Sequence, residues 1–286
     1  MIEVRMTHRP LIRSALALAF LAVSACDGGT GIEGPQNVAV NFRAVAGTGA
    51  SAALAPISPA LVGSGSPAAA VGSPMVVEGS NGTLTIDEIR LIVAEVELDS
   101  DDDRCGAADE GGSVDDDDCD FEAPPAFMEL PLDGEPVRVL EGLIAPGTYD
   151  ELEFEIEDLE DDEEDGDFAA EIATLRERIM QEFPDWPRKA TALVVGRFES
   201  AESGSVPFRV YLEAEIEVER RLTPSLVVGA DGGAGGVLTV DIMPHLWFTR
   251  SDGSVLPLHL YDFDVTGEVL EFEVEMEHGF IEIEID

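Results

Sequence analysis

Apolar and polar residues alternate with period two through much of the second half of the chain. Tyr149 to Leu159 sets Leu152, Phe154 and Ile156 against Glu151, Glu153, Glu155 and Glu157, and Val269 to Ile285 repeats the alternation with Phe272, Val274 and Met276. Successive side chains of a strand point to opposite faces, so this pattern buries one face and wets the other. Leu84 to Leu98, Phe127 to Leu132, Val137 to Leu140, Ala190 to Phe198, Val206 to Arg221, Gly236 to Thr249 and Leu256 to Asp264 also read as strands. Asp133-Gly134 predicts a hairpin between its flanking strands, Pro146-Gly147 a second turn, and the glycines from Gly229 to Gly236 a flexible hairpin tip. One segment departs from period two: Phe168, Ile172, Leu175 and Ile179 are spaced for one face of a helix near 167–183. Asp165 and Asp167 favour its N-terminus, Pro184 and Pro187 end it, and Trp186 is expected to cap its contact with a sheet. The expected fold is all-β: an antiparallel β-sandwich of about 200 residues with one inserted α-helix.

The N-terminal third reads differently. Three arginines (Arg5, Arg9, Arg13) precede an apolar run from Ala15 to Val23, closed by Val23-Ser24-Ala25-Cys26. A basic start, a short apolar core and small residues before a cut site make a secretory signal, and the run is shorter than the roughly 20 residues a membrane-spanning helix needs. A glycine-containing stretch follows, then one expected strand at Asn37 to Val45 carrying Val38, Val40 and Phe42. Ala46 to Gly82 is mostly Ala, Gly, Ser and Pro with no helical period, and prolines 56, 59, 67 and 74 interrupt any regular element. So long a loop is unusual inside a compact domain. The expected division is therefore a signal at 1–25, a tether and linker at 26–82 that includes one strand, and the sandwich domain at 83–286.

Val-Ser-Ala-Cys resembles the lipobox of bacterial lipoproteins, which implies that Cys26 is acylated and that the membrane is a partner through this anchor alone. The implied location is the cell envelope, facing the periplasm or the exterior. With Cys26 assigned to lipid, Cys105 and Cys119 remain as an even pair in an oxidising compartment. A disulfide between them would stabilise the loop they close by roughly 3 kcal/mol. A second resemblance covers the order of elements from Thr83 to Phe248. Ile144-Ala145-Pro146-Gly147-Thr148-Tyr149-Asp150-Glu151-Leu152-Glu153-Phe154 looks like a turn-and-strand of extracytoplasmic bacterial lipoprotein domains of unknown function with β-sandwich folds. Leu238-Thr239-Val240-Asp241-Ile242 resembles a later strand of the same kind of domain. This implies a fold rather than an activity.

Charge narrows the partners. The formal net charge is -44; removing residues 1–25 takes away three arginines and one glutamate and leaves -46, with Lys189 the sole lysine. Nucleic acid needs basic patches, and anionic headgroups would repel this surface, so cations and basic protein surfaces are the expected partners. The sharpest candidate chemistry is calcium binding in the acidic loop 99–120. Asp99, Asp101 and Asp103 alternate, with Glu110 at the twelfth position counted from Asp99, and calcium wants six to eight oxygens. Arg104 stands where the loop's sharp turn wants glycine. A second run, Asp115 to Asp118 with Asp120, lies at the far end, where a Cys105–Cys119 bridge would bring the clusters together. The same residues also suit a solvated acidic loop, as Glu160 to Asp165 does.

Signs of catalysis are sparse. There is no His-Glu-x-x-His, no Gly-x-Ser-x-Gly elbow and no phosphate-cradling glycine loop before a helix. His245 and His259 read as wall residues of apolar strands, and Trp247 and Tyr261 as core. The functional expectation is a non-enzymatic, lipid-anchored structural or binding module without a cofactor. The alternative is a calcium-responsive adhesion or assembly protein using the acidic loop.

Overall fold

Strands dominate the computed structural model, which describes residues 36–45, 50–52, 73–100, 120–159, 168–229, 236–272, 276 and 279–285, all within the unit Glu33–Asp286. In chain order they are β1 (Gln36–Ala44), β2 (Ala50–Ala52), β3 (Met75–Gly79), β4 (Gly82–Val93), β5 (Glu95–Asp99), β6 (Phe121–Ala123), β7 (Ala126–Glu129), β8 (Val137–Ile144) and β9 (Gly147–Ile156). After helix α1 (Ala169–Glu182) come β10 (Ala192–Ser200), β11 (Gly204–Glu213), β12 (Ile216–Val228), β13 (Val237–Ile242), the short helices α2 (Pro244–Trp247) and α3 (Phe263–Thr266), β14 (Leu270–Glu271) and β15 (Phe280–Ile285). They form three sheets, ordered β15-β13-β1-β8, β14-β11-β10-β4-β3-β2 with β7 also on β4, and β12-β9-β5-β6. The fold is all-β and sandwich-like, as the alternation predicts. Its main core gathers the inward residues of all three sheets, including Phe42, Leu84, Ile86, Leu98, Phe154 and Val240, each almost fully buried.

Two strand-long signals turn out to be strands that change sheets. Leu84 to Leu98 divides at Ala94, whose N–H donates to the Glu155 carbonyl at 2.9 Å. Val206 to Arg221 divides at Ala214-Glu215. Corners of this kind let one chain segment serve two packed sheets.

Helix α1 buries Ile172, Leu175 and Ile179, three of the four residues whose spacing predicts it. It covers the second face of the large sheet, where Ile92, Leu193 and Tyr211 join it in a separate apolar cluster. The Trp186 ring packs edge-on against Phe127 and Tyr211, and its indole N–H donates to the Ala190 carbonyl at 2.9 Å. This double coverage explains why the end of β4, Leu91-Ile92-Val93, is apolar and buried on both faces.

Several expectations are corrected. The folded body already includes residues ahead of Thr83: β1 lies inside a sheet, parallel to β13 and antiparallel to β8, with Val38, Val40 and Phe42 completely buried. β3 also precedes Thr83. The sheets are not wholly antiparallel, since β1–β13 and β11–β14 run parallel. Asp133-Gly134 turns the chain, with Gly134 at φ +87°, yet β7 pairs β4 while β8 pairs β1. The glycine-rich stretch after β12 likewise joins strands of different sheets. Local turn chemistry fixes a reversal of direction, but partner choice depends on distant residues. Leu256 to Asp264 is a 3-10 turn at Leu258–Tyr261 followed by α3, with Pro257 at its start. Val269 to Ile285 is split into β14 and β15. Trp247 is core, whereas Tyr261 is 36 % exposed.

Candidate cation-binding face

The pairing of β12, β9 and β5 sets three alternating strands side by side in matched phase. Glu217 faces Glu155 and Glu155 faces Glu95; Glu219 faces Glu153 and Glu153 faces Glu97; Arg221 faces Glu151 and Glu151 faces Asp99. The intervening residues Val96, Leu98, Leu152, Phe154, Ile156 and Val218 point into the core. One sheet face therefore carries eight carboxylates in rows about 4.8 Å apart across strands. Glu122 extends the middle row onto β6.

Two groups within this face bring oxygens close enough to share an ion. One ligand atom from each of Glu97, Asp99 and Asp120 lies within 4.8 Å of the others, and the same holds for Glu153, Glu155 and Glu217. Asp120 also accepts a hydrogen bond from the Ser100 N–H at 3.1 Å. The two ends of the acidic loop thus meet through the pairing of β5 with β6, whatever the cysteines do.

Crowding of like charge shows in the protonation of these groups. Burial, with Asp99, Glu95, Asp120 and Glu153 adding to it, pushes the Glu97 carboxyl up to about 7. Glu151 is pushed up to about 7, first by its hydrogen bond with Glu219 and then by burial, with Arg221 opposing. Burial raises Glu153 and Glu155 as well, helped in both by Glu217. Asp99 is raised by burial and then by Asp120, against a hydrogen bond with Glu97 that lowers it. A cation bound at either group would offset the repulsion among the carboxylates of that group.

Of the residues singled out from sequence, Asp99 takes its place at the end of β5 in this face. Asp101, Asp103, Cys105, Glu110 and Cys119 lie outside the described residues, as does Cys26. The sequence reading missed Glu97 as Asp99's neighbour in a site and missed the second group entirely. Alternation signals one wet face per strand, but the stacking of three such faces depends on register. His245 and His259 stand apart from this face. His245 is buried on α2, with burial lowering its pKa, and His259 stacks on Phe198 at 4.7 Å between ring centres. No family model, curated protein or solved structure matches this chain.

Proposed function

We propose that this chain is a lipid-anchored extracytoplasmic β-sandwich lipoprotein acting as a non-enzymatic structural or binding module. Cys26 would carry the anchor, and the carboxylate face would meet cations or basic protein surfaces. The observation that carries the binding role is the alignment of eight carboxylates on one face of the β12-β9-β5 ladder. Such a surface attracts cationic partners and is penalised when left alone. The address rests on the lipobox-like Val23-Ser24-Ala25-Cys26 and the signal before it. In an oxidising envelope, Cys105 and Cys119 would pair.

Replacing Cys26 by Ser should move the protein from the membrane fraction to the soluble one; retention of C26S in washed membranes would refute the anchor. A second reading, calcium-responsive assembly, is favoured by the convergence of Glu97, Asp99 and Asp120. Calorimetric titration with calcium chloride tests it. Saturable heat that weakens in the Asp99→Asn/Asp120→Asn double variant supports calcium binding, and no heat at millimolar calcium with an unchanged melting temperature sinks it.

A further inference from the structure

A cleft of about 510 Å³ opens where α1 crosses β7 and β8, far in character from the carboxylate face. This is the size of a cleft that holds a short peptide or small ligand. Its apolar lining comes from Pro125, Phe127, Val139 and Leu175, and two guanidiniums stand on it, Arg138 from β8 and Arg178 from α1. In a chain with 16 basic residues against 60 acidic ones, two arginines at one cleft run against composition. Glu171 also lines it, and Arg138 pairs with Glu141.

The backbone along this cleft is that of a strand edge. Among the described residues β7 pairs with β4 alone. The Leu130 N–H donates to the Ile89 carbonyl at 2.9 Å, and the alternation of an antiparallel ladder then turns the Phe127 backbone groups away from β4. The Phe127 carbonyl is met there by the Arg178 guanidinium at 3.5 Å. A strand edge facing a helix across an apolar trough is the arrangement in which an extended peptide adds as a further strand, its backbone supplying affinity and its side chains specificity.

We propose that this cleft takes an extended acidic peptide segment of a protein partner, laid along β7 with its carboxylates on Arg138 and Arg178. A peptide laid here takes the outward Phe127 backbone groups and draws Arg178 from the Phe127 carbonyl onto its own carboxylate, and the guanidiniums select its charge, since paired charge-assisted hydrogen bonds to carboxylates are what arginine makes best. The chain's overall negative charge does not forbid this, because at about 0.15 M salt charges beyond about 8 Å are largely screened. The proposal deepens the binding-module reading and is independent of the anchor.

The test is fluorescence anisotropy of a fluorescein-labelled Glu-Val-Glu-Val-Glu-Val peptide titrated with the purified full chain at that salt. The Lys-Val counterpart and unlabelled laurate serve as comparisons. The expected result is saturable binding of the acidic peptide, weakened by about tenfold or more in Arg178→Glu and in Arg138→Glu. Both arginines are exposed, and circular dichroism confirms that each variant keeps its fold. Four results would each overturn the proposal: no saturation, equal binding by the folded variants, preference for the lysine peptide, or displacement of the acidic peptide by laurate. If the peptide fails while the carboxylate face still binds calcium or a basic protein, only the cleft assignment falls.

Discussion

Glu97 shows how much a single side chain in the β12-β9-β5 ladder is asked to tolerate. Its carboxyl titrates near 7 because burial and four neighbouring acids all oppose its charge. For an acid raised in the folded state, the stabilising contribution is complete below the unfolded value and is lost as pH rises through the folded one. Glu97→Gln is therefore expected to stabilise the protein at pH 8 and to change little at pH 5. The side chain is only partly buried, so screening limits the gain to about 1 kcal/mol, or about 2–4 °C in melting temperature. Thermal melts at the two pH values check it; an equal shift at both would contradict the origin in charge. Tyr149 has the opposite role. It is fully buried, and its hydroxyl donates to the Ala145 carbonyl at 3.0 Å, clamping the Pro146-Gly147 turn. Tyr149→Phe should cost about 1 kcal/mol in denaturant unfolding, with calcium and peptide binding unchanged.

Helix α1 is the element whose sequence signal and structural role agree most closely. Its apolar stripe packs onto Ile92, Leu193 and Tyr211 of the large sheet. Leu175→Ala should destabilise by about 2–5 kcal/mol, the range for truncating a buried leucine. Because Leu175 also lines the cleft, its unfolding curve and its peptide affinity should fall together. The strands were legible to a lesser degree. Period two located most of the apolar faces, but Ala94 and Ala214 divide continuous signals into strands of different sheets. Asp133-Gly134 has the chemistry of a hairpin turn without joining a hairpin, since β1 and β4 compete successfully for its neighbours. Val269 to Ile285 gives β14 to one sheet and β15 to another. Gly279, just before β15, passes the Trp247 indole so closely that a Cβ there would collide with the ring.

At the scale of the molecule, negative charge sets the response to solution conditions. Raised carboxylates at Glu97, Asp99, Glu151, Glu153 and Glu155 all lose stabilisation as pH rises. Asp185, held low by its hydrogen bond with Arg209, and Asp252, held low by Ser254, act in the other direction and lose theirs in acid. The melting temperature should therefore climb as pH falls from 8 towards about 5.5, then drop below about 3.5 as the second group protonates. Added sodium chloride should flatten the upper limb by screening the repulsion. A melting temperature that peaks above pH 7.5 would contradict this balance.

The sequence by itself determined the all-β class, the single long helix, the acidic character and the wet face of each alternating strand. Those properties follow from residue period and composition, which act locally. Only the tertiary structure decided that β1 belongs to the core and that β7 and β8 part company. It also decided that Glu97, Asp99 and Asp120 converge, and that Arg138 and Arg178 share a cleft. Register and partner choice come from the summed burial of residues far apart in the chain. A one-residue slip of β9 would exchange its glutamates for Leu152, Phe154 and Ile156 on the wet face. The core forbids that slip, and by forbidding it assembles the carboxylate face.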